Sequence, residues 1–209
     1  MVTLNRRLLT LLAVAALGLS ACGKTGGSAV TTDDMSLGNP NAKVTVVEYA
    51  SVACPFCAQF NNTSFPAFKA QYIDSGKIHY VFREMLVGSP MEASFAAAGF
   101  LMSRCAGKDK YFAVNDAIFH GQEAMYQSGQ IREGLLKISQ SAGMSEKQFT
   151  DCVNNADSLK ALQDRVDNYT KNDGVDSTPT FVINGKKLDG TPTLASLSAA
   201  INAAQAGAK

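Results

Sequence analysis

Two cysteines three residues apart, placed where a β-rich run gives way to a helical pattern, constrain this chain more than any other feature. Residues 43–50 (KVTVVEYA) read as a strand buried on both faces. Cys54-Pro55-Phe56-Cys57 follows directly after it. From Ala58 to about Ile73 a helical pattern carries Phe60, Phe65, Phe68 and Tyr72, Pro66 kinks or restarts it, and Asp74-Ser75-Gly76 ends it. The cysteine pair therefore opens a helix. The N–H groups of a first helical turn have no partner within the helix, and the helix dipole places partial positive charge there. A thiol at that point ionises more easily, and the thiolate is the reactive form. Pro55 suits the first helical position, where its missing N–H costs nothing. Cys57 lies one turn further on the same face, within reach of a disulfide with Cys54. Cys54 is expected to be the exposed attacking sulfur and Cys57 the buried resolving one. Each pKa unit by which Cys54 is acidified stabilises the reduced pair by up to ~1.4 kcal/mol, which makes the two-electron couple about 30 mV more oxidising.

A zinc half-site is the competing reading of such a pair. It needs a second Cys-x-x-Cys, and there is none: Cys105 and Cys152 are far apart and the only histidines are His79 and His120. No metal is expected. Nucleic acid is excluded as the main partner because the formal charge is only +1 and no basic run concentrates it. With 46% hydrophobic and 18% charged residues among 209, the chain has the composition of a packed globular protein.

Residues 77–83 (KIHYVFR) read as a second strand, so strand, helix and strand form a βαβ unit with parallel pairing. From Pro90 to about Asn172 nothing reads as a strand. Residues 93–105, 110–120, 131–142, 145–154 and 158–170 each look helical, and Ser145 with Gln148 has the form of a capping box. Thr180–Ile183 is a short strand, Asn184-Gly185 is a strong hairpin signal, and Lys186–Leu188 returns. Thr193–Ala204 is a last, Ala-rich helix capped at Thr191 or Thr193. The order is βαβ, a helical block, then ββα.

The first residues read as an address. Arg6 and Arg7 precede an apolar run, Leu8–Ala21, of 14 residues. A membrane-spanning helix needs about 20, so the run is read as an export signal. Its end, Leu19-Ser20-Ala21-Cys22, resembles the lipobox of bacterial lipoproteins, which implies cleavage before Cys22 and acylation of its thiol. An ordinary cleaved signal with an unmodified Cys22 is the alternative. Removal of residues 1–21 lowers Lys+Arg from 19 to 17 against 18 Asp+Glu, a charge of −1. Four cysteines remain, at 54, 57, 105 and 152, an even number that suits an oxidising compartment. The chain is thus divided into a lipoprotein signal peptide (1–21), a flexible Gly-rich tether (22–36), the first part of an α/β core (37–89), an inserted helical domain (90–172) and the second part of the core (173–209).

From Leu37 to Ala204 the chain resembles the DsbA-like branch of the thioredoxin superfamily. Two motifs in order carry the resemblance: Cys54-Pro55-Phe56-Cys57 after a Val-rich strand, and Thr178-Pro179-Thr180-Phe181 before a strand. The resemblance implies an α/β thioredoxin fold (βαβ…ββα) interrupted by an α-helical domain. It implies that Pro179 is cis and stands beside the cysteine pair, with Thr178 offering backbone hydrogen bonds to substrate chains; a trans turn proline is the alternative. It implies that Glu48, the only acid in its apolar strand, lies buried beneath the pair and relays a proton to or from the resolving sulfur. Burial would raise the pKa of such an acid toward a useful range; an acid reaching solvent from a strand end is the alternative. Some relatives carry an extra disulfide in the helical domain, which implies a Cys105–Cys152 bond. Closing about 47 residues would stabilise the fold by roughly 4 kcal/mol; two buried free thiols are the alternative.

One departure bears on direction. The strongest oxidants of the family carry His between the cysteines, whereas Pro55-Phe56 offers the thiolate neither a hydrogen bond nor positive charge. A weaker oxidant is expected, and Thr178 resembles the isomerase and reductase relatives. The expected function is a monomeric thiol–disulfide oxidoreductase, lipid-anchored to a membrane in the periplasm or cell envelope. It would oxidise unfolded or reduced exported proteins, be reoxidised by a membrane redox partner, and need no organic cofactor. The alternatives are an isomerase or reductase with the same site, and a lipid-anchored module that holds a thiophilic metal through Cys54 and Cys57. His79 reads as structural or exposed and His120 as the end of a helix. Met85, Met91, Met102, Met125 and Phe95 read as filling of the helical core, the lining of a groove near the cysteine pair being the alternative.

Overall fold

The computed structural model describes residues 29–207; the export signal expected over 1–21 and the lipidation expected at Cys22 lie outside the described residues. Five strands, β1 (Met35–Gly38), β2 (Thr45–Ala50), β3 (His79–Glu84), β4 (Thr180–Ile183) and β5 (Lys186–Lys187), form one sheet in the order β1-β3-β2-β4-β5. β2 and β3 run parallel, as a βαβ unit requires, and the other pairs are antiparallel. Between β2 and β3 lie α1 (Pro55–Thr63), α2 (Phe65–Phe68) and a π-helical turn, Lys69–Ile73. Pro66 sits in the first turn of α2, so the proline restarts the helix.

Between β3 and β4 come α3 (Pro90–Cys105), α4 (Lys108–Ser128), α5 (Ile131–Ser141), α6 (Glu146–Val153) and α7 (Ala156–Asn172), and α8 (Leu194–Gly207) closes the order. Capping boxes fix two of these starts, Ser89 with Glu92 at α3 and Ser145 with Gln148 at α6. Thr193 caps α8, its Oγ1 accepting from the N–H of Ser196 at 3.1 Å. Cys105, the last residue of α3, is bonded to Cys152 in α6. Among the described residues no helix is long and apolar enough to cross a membrane.

The period of two along each strand divides the sheet's surroundings. Val46, Ala50, Tyr80 and Phe82 face one core with residues of α1, α3 and α4, including Phe60, Phe100 and Ile118. Val47, Tyr49, Val81 and Val182 face a second core closed by Tyr169 of α7 and by Val175.

Two expectations are corrected. Residues 29–36 belong to the span expected as a flexible tether, yet they are bound to the fold. Arg83 is 1% exposed and needs counter-charges in the interior. Asp34 accepts from its Nε at 3.2 Å and its second guanidinium nitrogen at 3.3 Å, and that nitrogen also reaches the Ala29 carbonyl at 3.1 Å. Arg104 and Lys108 bind the carbonyls of Asp33 and Thr32. Met35–Gly38 then pairs with β3. Gly38 has φ +83°, and a Cβ there would stand 2.5 Å from the Ile78 carbonyl oxygen, so the strand ends where only glycine fits. Second, α4 does not stop at His120. Burial of Gln122 and Met125 continues it through Gly121, at a propensity cost of ~1 kcal/mol, to a left-handed cap at Gly129.

Of the residues read as core, Met85, Phe95, Met102 and Met125 are buried, whereas Met91 is 59% exposed.

Candidate active site

β2 delivers the chain to a short loop, Ser51–Cys54, and α1 begins at Pro55. Cys54 is the N-cap residue, with extended backbone (φ −83°, ψ 122°). It is half-buried, Cys57 is fully buried, and both are thiols. Phe56, between them, is 71% exposed.

The inserted helices hold this loop. Gln122 Nε2 donates to the Val52 carbonyl at 2.7 Å and to the Cys54 carbonyl at 3.2 Å. Tyr126 Oη donates to the Ala53 carbonyl at 2.9 Å. Three successive carbonyls before α1 are thus taken by one helix. Lower on the same stripe of α4, Asp116 accepts from Asn61 at 2.9 Å and the Phe119 carbonyl accepts from Asn62 at 3.3 Å. The positions 116, 119, 122 and 126 follow the three-and-four spacing of one helical face. α3 closes from another side: a Cβ on Gly99 would stand 2.9 Å from Val52 Cγ2, so the approach requires glycine.

The loop before β4 completes the surface. The Thr178–Pro179 peptide is cis, and Cys54 Sγ stands 3.5 Å from the Thr178 carbonyl oxygen, to which it donates when protonated. The Thr178 hydroxyl is buried without a hydrogen-bond partner among the described residues, and Thr178 favours the Cys54 thiolate. Cys54 and Thr178-Pro179, 124 residues apart, are therefore in direct contact.

Charge separates the two sulfurs. Cys54 is lowered from 9.0 to about 6, first by the hydrogen bond from the Cys57 thiol and then, against the cost of burial, by Thr178 and the backbone N–H groups of Cys57 and Phe56. The helix N-terminus contributes through those amides, alongside the neighbouring thiol. Burial, then Cys54, pushes Cys57 well above the usual thiol range, with Glu48 adding to it. Glu48 is 3% exposed, and burial raises it from 4.5 to about 7 against the hydrogen bond that Tyr80 donates.

The structure thus brings together Cys54, Cys57, Glu48, Thr178 and Pro179. Cys105 and Cys152 are bonded to each other in the inserted helices and do not join the site. His79 begins β3 and burial lowers its pKa, whereas His120 is exposed along α4. Among the described residues no group of three or more His, Cys, Asp or Glu is placed to hold a metal ion. Gln122, Tyr126 and Tyr80 are absent from the sequence reading. The 116–119–122–126 spacing was the available signal for the first two, and the parity of Tyr80 with Val46 across β3 and β2 for the third.

Residues 30–203 match the Thioredoxin family model. A "Putative protein-disulfide oxidoreductase" of Rickettsia bellii is 33% identical over 177 residues, covering 84% of this chain and 66% of the relative. Another from Rickettsia conorii is 34% identical over 177 residues, covering 84% of this chain and 61% of the relative. The chain therefore spans less than two thirds of those relatives' own length. The crystal structure of alpha-DsbA1 from Wolbachia pipientis superposes with a TM-score of 0.76 over 86% of this chain and 94% of that one, at 24% identity, and so shares the fold. With the family match covering both halves of the sheet and the helices between them, the chain belongs to the thioredoxin family and has the fold of its DsbA-like branch.

Proposed function

We propose that the chain is a thiol–disulfide oxidoreductase that oxidises exported proteins through Cys54 and Cys57. The observation that carries this reading is the contrast between the two sulfurs: Cys54 is half-buried at a helix start against the Thr178 carbonyl and is lowered to about 6, while Cys57 is fully buried and pushed well above the usual thiol range. At neutral pH Cys54 is about nine-tenths thiolate.

The steps follow from that contrast. In the oxidised protein a substrate thiolate attacks Cys54 Sγ and the Cys54–Cys57 bond breaks. Cys57 leaves as a thiolate and takes a proton from Glu48. The mixed disulfide between substrate and Cys54 is then attacked at the substrate sulfur by a second substrate thiolate. A substrate disulfide forms, Cys54 leaves as a thiolate, and two electrons remain on the pair. The Thr178 backbone and Pro179 border Cys54 where the substrate chain would lie. Lowering Cys54 from 9.0 to about 6 stabilises the reduced pair at neutral pH by ~1.4 kcal/mol at most, and by less once solvent screening at a half-exposed sulfur is allowed for. That is about 30 mV or less, a modest oxidising bias.

The same reading places the protein outside the cytoplasm, acylated at Cys22, monomeric, and reoxidised by a membrane redox partner. The absence of a cation between the cysteines, where Phe56 stands, favours a second reading in which the site runs as an isomerase or reductase. Trapping separates them. Cys57→Ala should accumulate covalent complexes through Cys54. Partners caught while acquiring disulfides support the oxidant, partners with scrambled disulfides support the isomerase, and no covalent complexes at all would refute thiol–disulfide exchange.

A further inference from the structure

We infer that Tyr80 is the positioning residue that lets Glu48 hold and release the proton of Cys57, because among the described residues its phenol is the side-chain group hydrogen-bonded to that buried carboxyl. The inference rests on the proposed exchange reaction and adds to it a residue outside the cysteine loop and outside the loop before β4.

The geometry starts from the parallel pairing of β2 and β3. Glu48 stands opposite Phe82 on one side and Phe181 of β4 on the other. Tyr80, two residues before Phe82, projects to the same side of the sheet and donates its hydroxyl to Glu48 Oε2. Its ring is packed by Phe65 at 5.5 Å, Phe112 at 6.1 Å and Phe68 at 6.2 Å between centroids. Tyr80 and Glu48 are 1% and 3% exposed. The titratable groups around them are Cys57 from α1, which senses the charge of Glu48, and Tyr111 from α4, which acts on Tyr80. Glu48 forms no ion pair among the described residues.

A neutral donor suits this task better than a cation. A Lys or Arg beside Glu48 would hold it ionised, and it would have no proton to give. With no donor, a carboxyl this deeply buried would keep its proton too firmly to serve as a base. A phenol lies between: it stabilises the carboxylate by one hydrogen bond and adds no charge. Burial pushes Tyr80 itself far above the ordinary phenol range, so it stays a donor in both states of Glu48. When the disulfide opens, the proton passes from the Glu48 carboxyl to the Cys57 thiolate. When Cys57 attacks a mixed disulfide on Cys54, its proton passes to the Glu48 carboxylate, and the partner sulfur leaves with the electron pair of the broken bond. Tyr80 keeps its own proton throughout.

The test follows the Glu48 carboxyl by infrared difference spectroscopy against pH in the reduced protein, with Glu48→Gln identifying the band. Tyr80→Phe should move its midpoint upward by about one pH unit or more. The rate at which Cys57 resolves a mixed disulfide formed from a small aromatic disulfide should show the same alkaline shift, and that shift should vanish in the Glu48→Gln/Tyr80→Phe double variant. An unmoved or lowered midpoint in Tyr80→Phe overturns the inference. Should that variant fail to fold, the wild-type chain still decides. Its tyrosine C–O mode must change at the pH where the Glu48 band does, and a mode that stays constant overturns the inference equally. A wild-type protein that does not react with the aromatic disulfide refutes the exchange reading itself, whereas a reactive Tyr80→Phe protein with an unshifted Glu48 refutes this inference alone.

Discussion

Replacing Glu48 by Gln is expected to stabilise the reduced protein in alkaline solution and to leave it unchanged in acid. Glu48 is raised from 4.5 to about 7, chiefly by burial. A shift of about 2.5 units at ~1.36 kcal/mol each is worth about 3 kcal/mol. The sign follows from which state holds the proton. Below pH 4.5 the carboxyl is protonated in both folded and unfolded chains and costs nothing extra. Between 4.5 and about 7 the unfolded chain releases the proton while the folded one keeps it, so stability falls as pH rises. Above about 7 the folded protein carries a buried carboxylate and the whole penalty. Gln fills the same space and accepts the Tyr80 hydrogen bond without ever ionising. Urea unfolding of both proteins, at about pH 4 and about pH 8.5, should show near-equal midpoints in acid and a variant more stable by ~3 kcal/mol in alkali. The Cys54 thiolate acts in the opposite sense, its stabilisation present above 9.0 and lost as pH falls through about 6, but it is common to both proteins and cancels in the difference. A stability difference that is the same at both pH values would refute the assignment of a raised pKa to Glu48. The same substitution should slow disulfide exchange by about two orders of magnitude or more, the loss expected when a positioned acid–base is removed.

The remaining predictions concern charge at two other places. Cys57→Ala should raise Cys54 above about 6 by roughly one unit, because it deletes the largest cause of the acidity, while Cys57→Ser, which keeps a donor, should raise it less; the ultraviolet absorbance of the thiolate against pH reports both. Equal shifts in the two variants would show that the hydrogen bond is not the cause. Arg83→Met should cost about 3–5 kcal/mol in denaturant unfolding, since it strips Asp34 of its buried cation. It should also make residues 29–34 the first site of limited proteolysis, and a variant as protease-resistant as the wild type would contradict the role given to that ion pair.

Much of the site was legible because its chemistry is local. Cys54-Pro55-Phe56-Cys57 after KVTVVEYA identifies strand, cap and first turn within 15 residues of sequence, and Thr178-Pro179 adds the partner loop. What the sequence hid was non-local. β1 is four residues long, too short for Met35 and Leu37 to establish an alternation, and it forms because Asp34 meets Arg83, 49 residues away. α4 passes His120 because of what it packs against, whereas helix propensity alone favours an end near Gly121. Gln122 and Tyr126 are unremarkable as residue types. They matter because the tertiary fold lays one stripe of α4 along the carbonyls of Val52, Ala53 and Cys54.

The two acids on one side of the sheet show how partner choice decides what a buried carboxyl can do. Glu48 and Glu84 are both almost fully buried and belong to neighbouring strands. Glu84 lies between two guanidiniums, Arg104 at 2.7 Å and Arg165 at 2.9 Å, and accepts from Tyr111 at 3.0 Å. Those bonds tie β3 to α3, α4 and α7, so this carboxylate fastens the inserted helices to the sheet. On the opposite side Arg83 joins Asp34 and Asp173 and fastens the N-terminal segment and the end of α7 in the same way. Both arrangements are ionic, and removing a partner from either would leave charge in the interior. Among the described residues Glu48 alone of these acids has no cationic partner; Tyr80 is its hydrogen-bond donor. Burial without a cation is unfavourable for stability, as the expected gain from Gln implies, and its retention needs another reason. The proposed exchange reaction supplies one: burial raises Glu48 to about 7, its charge acts on Cys57, and in that reaction its carboxyl would give a proton to that sulfur and take it back.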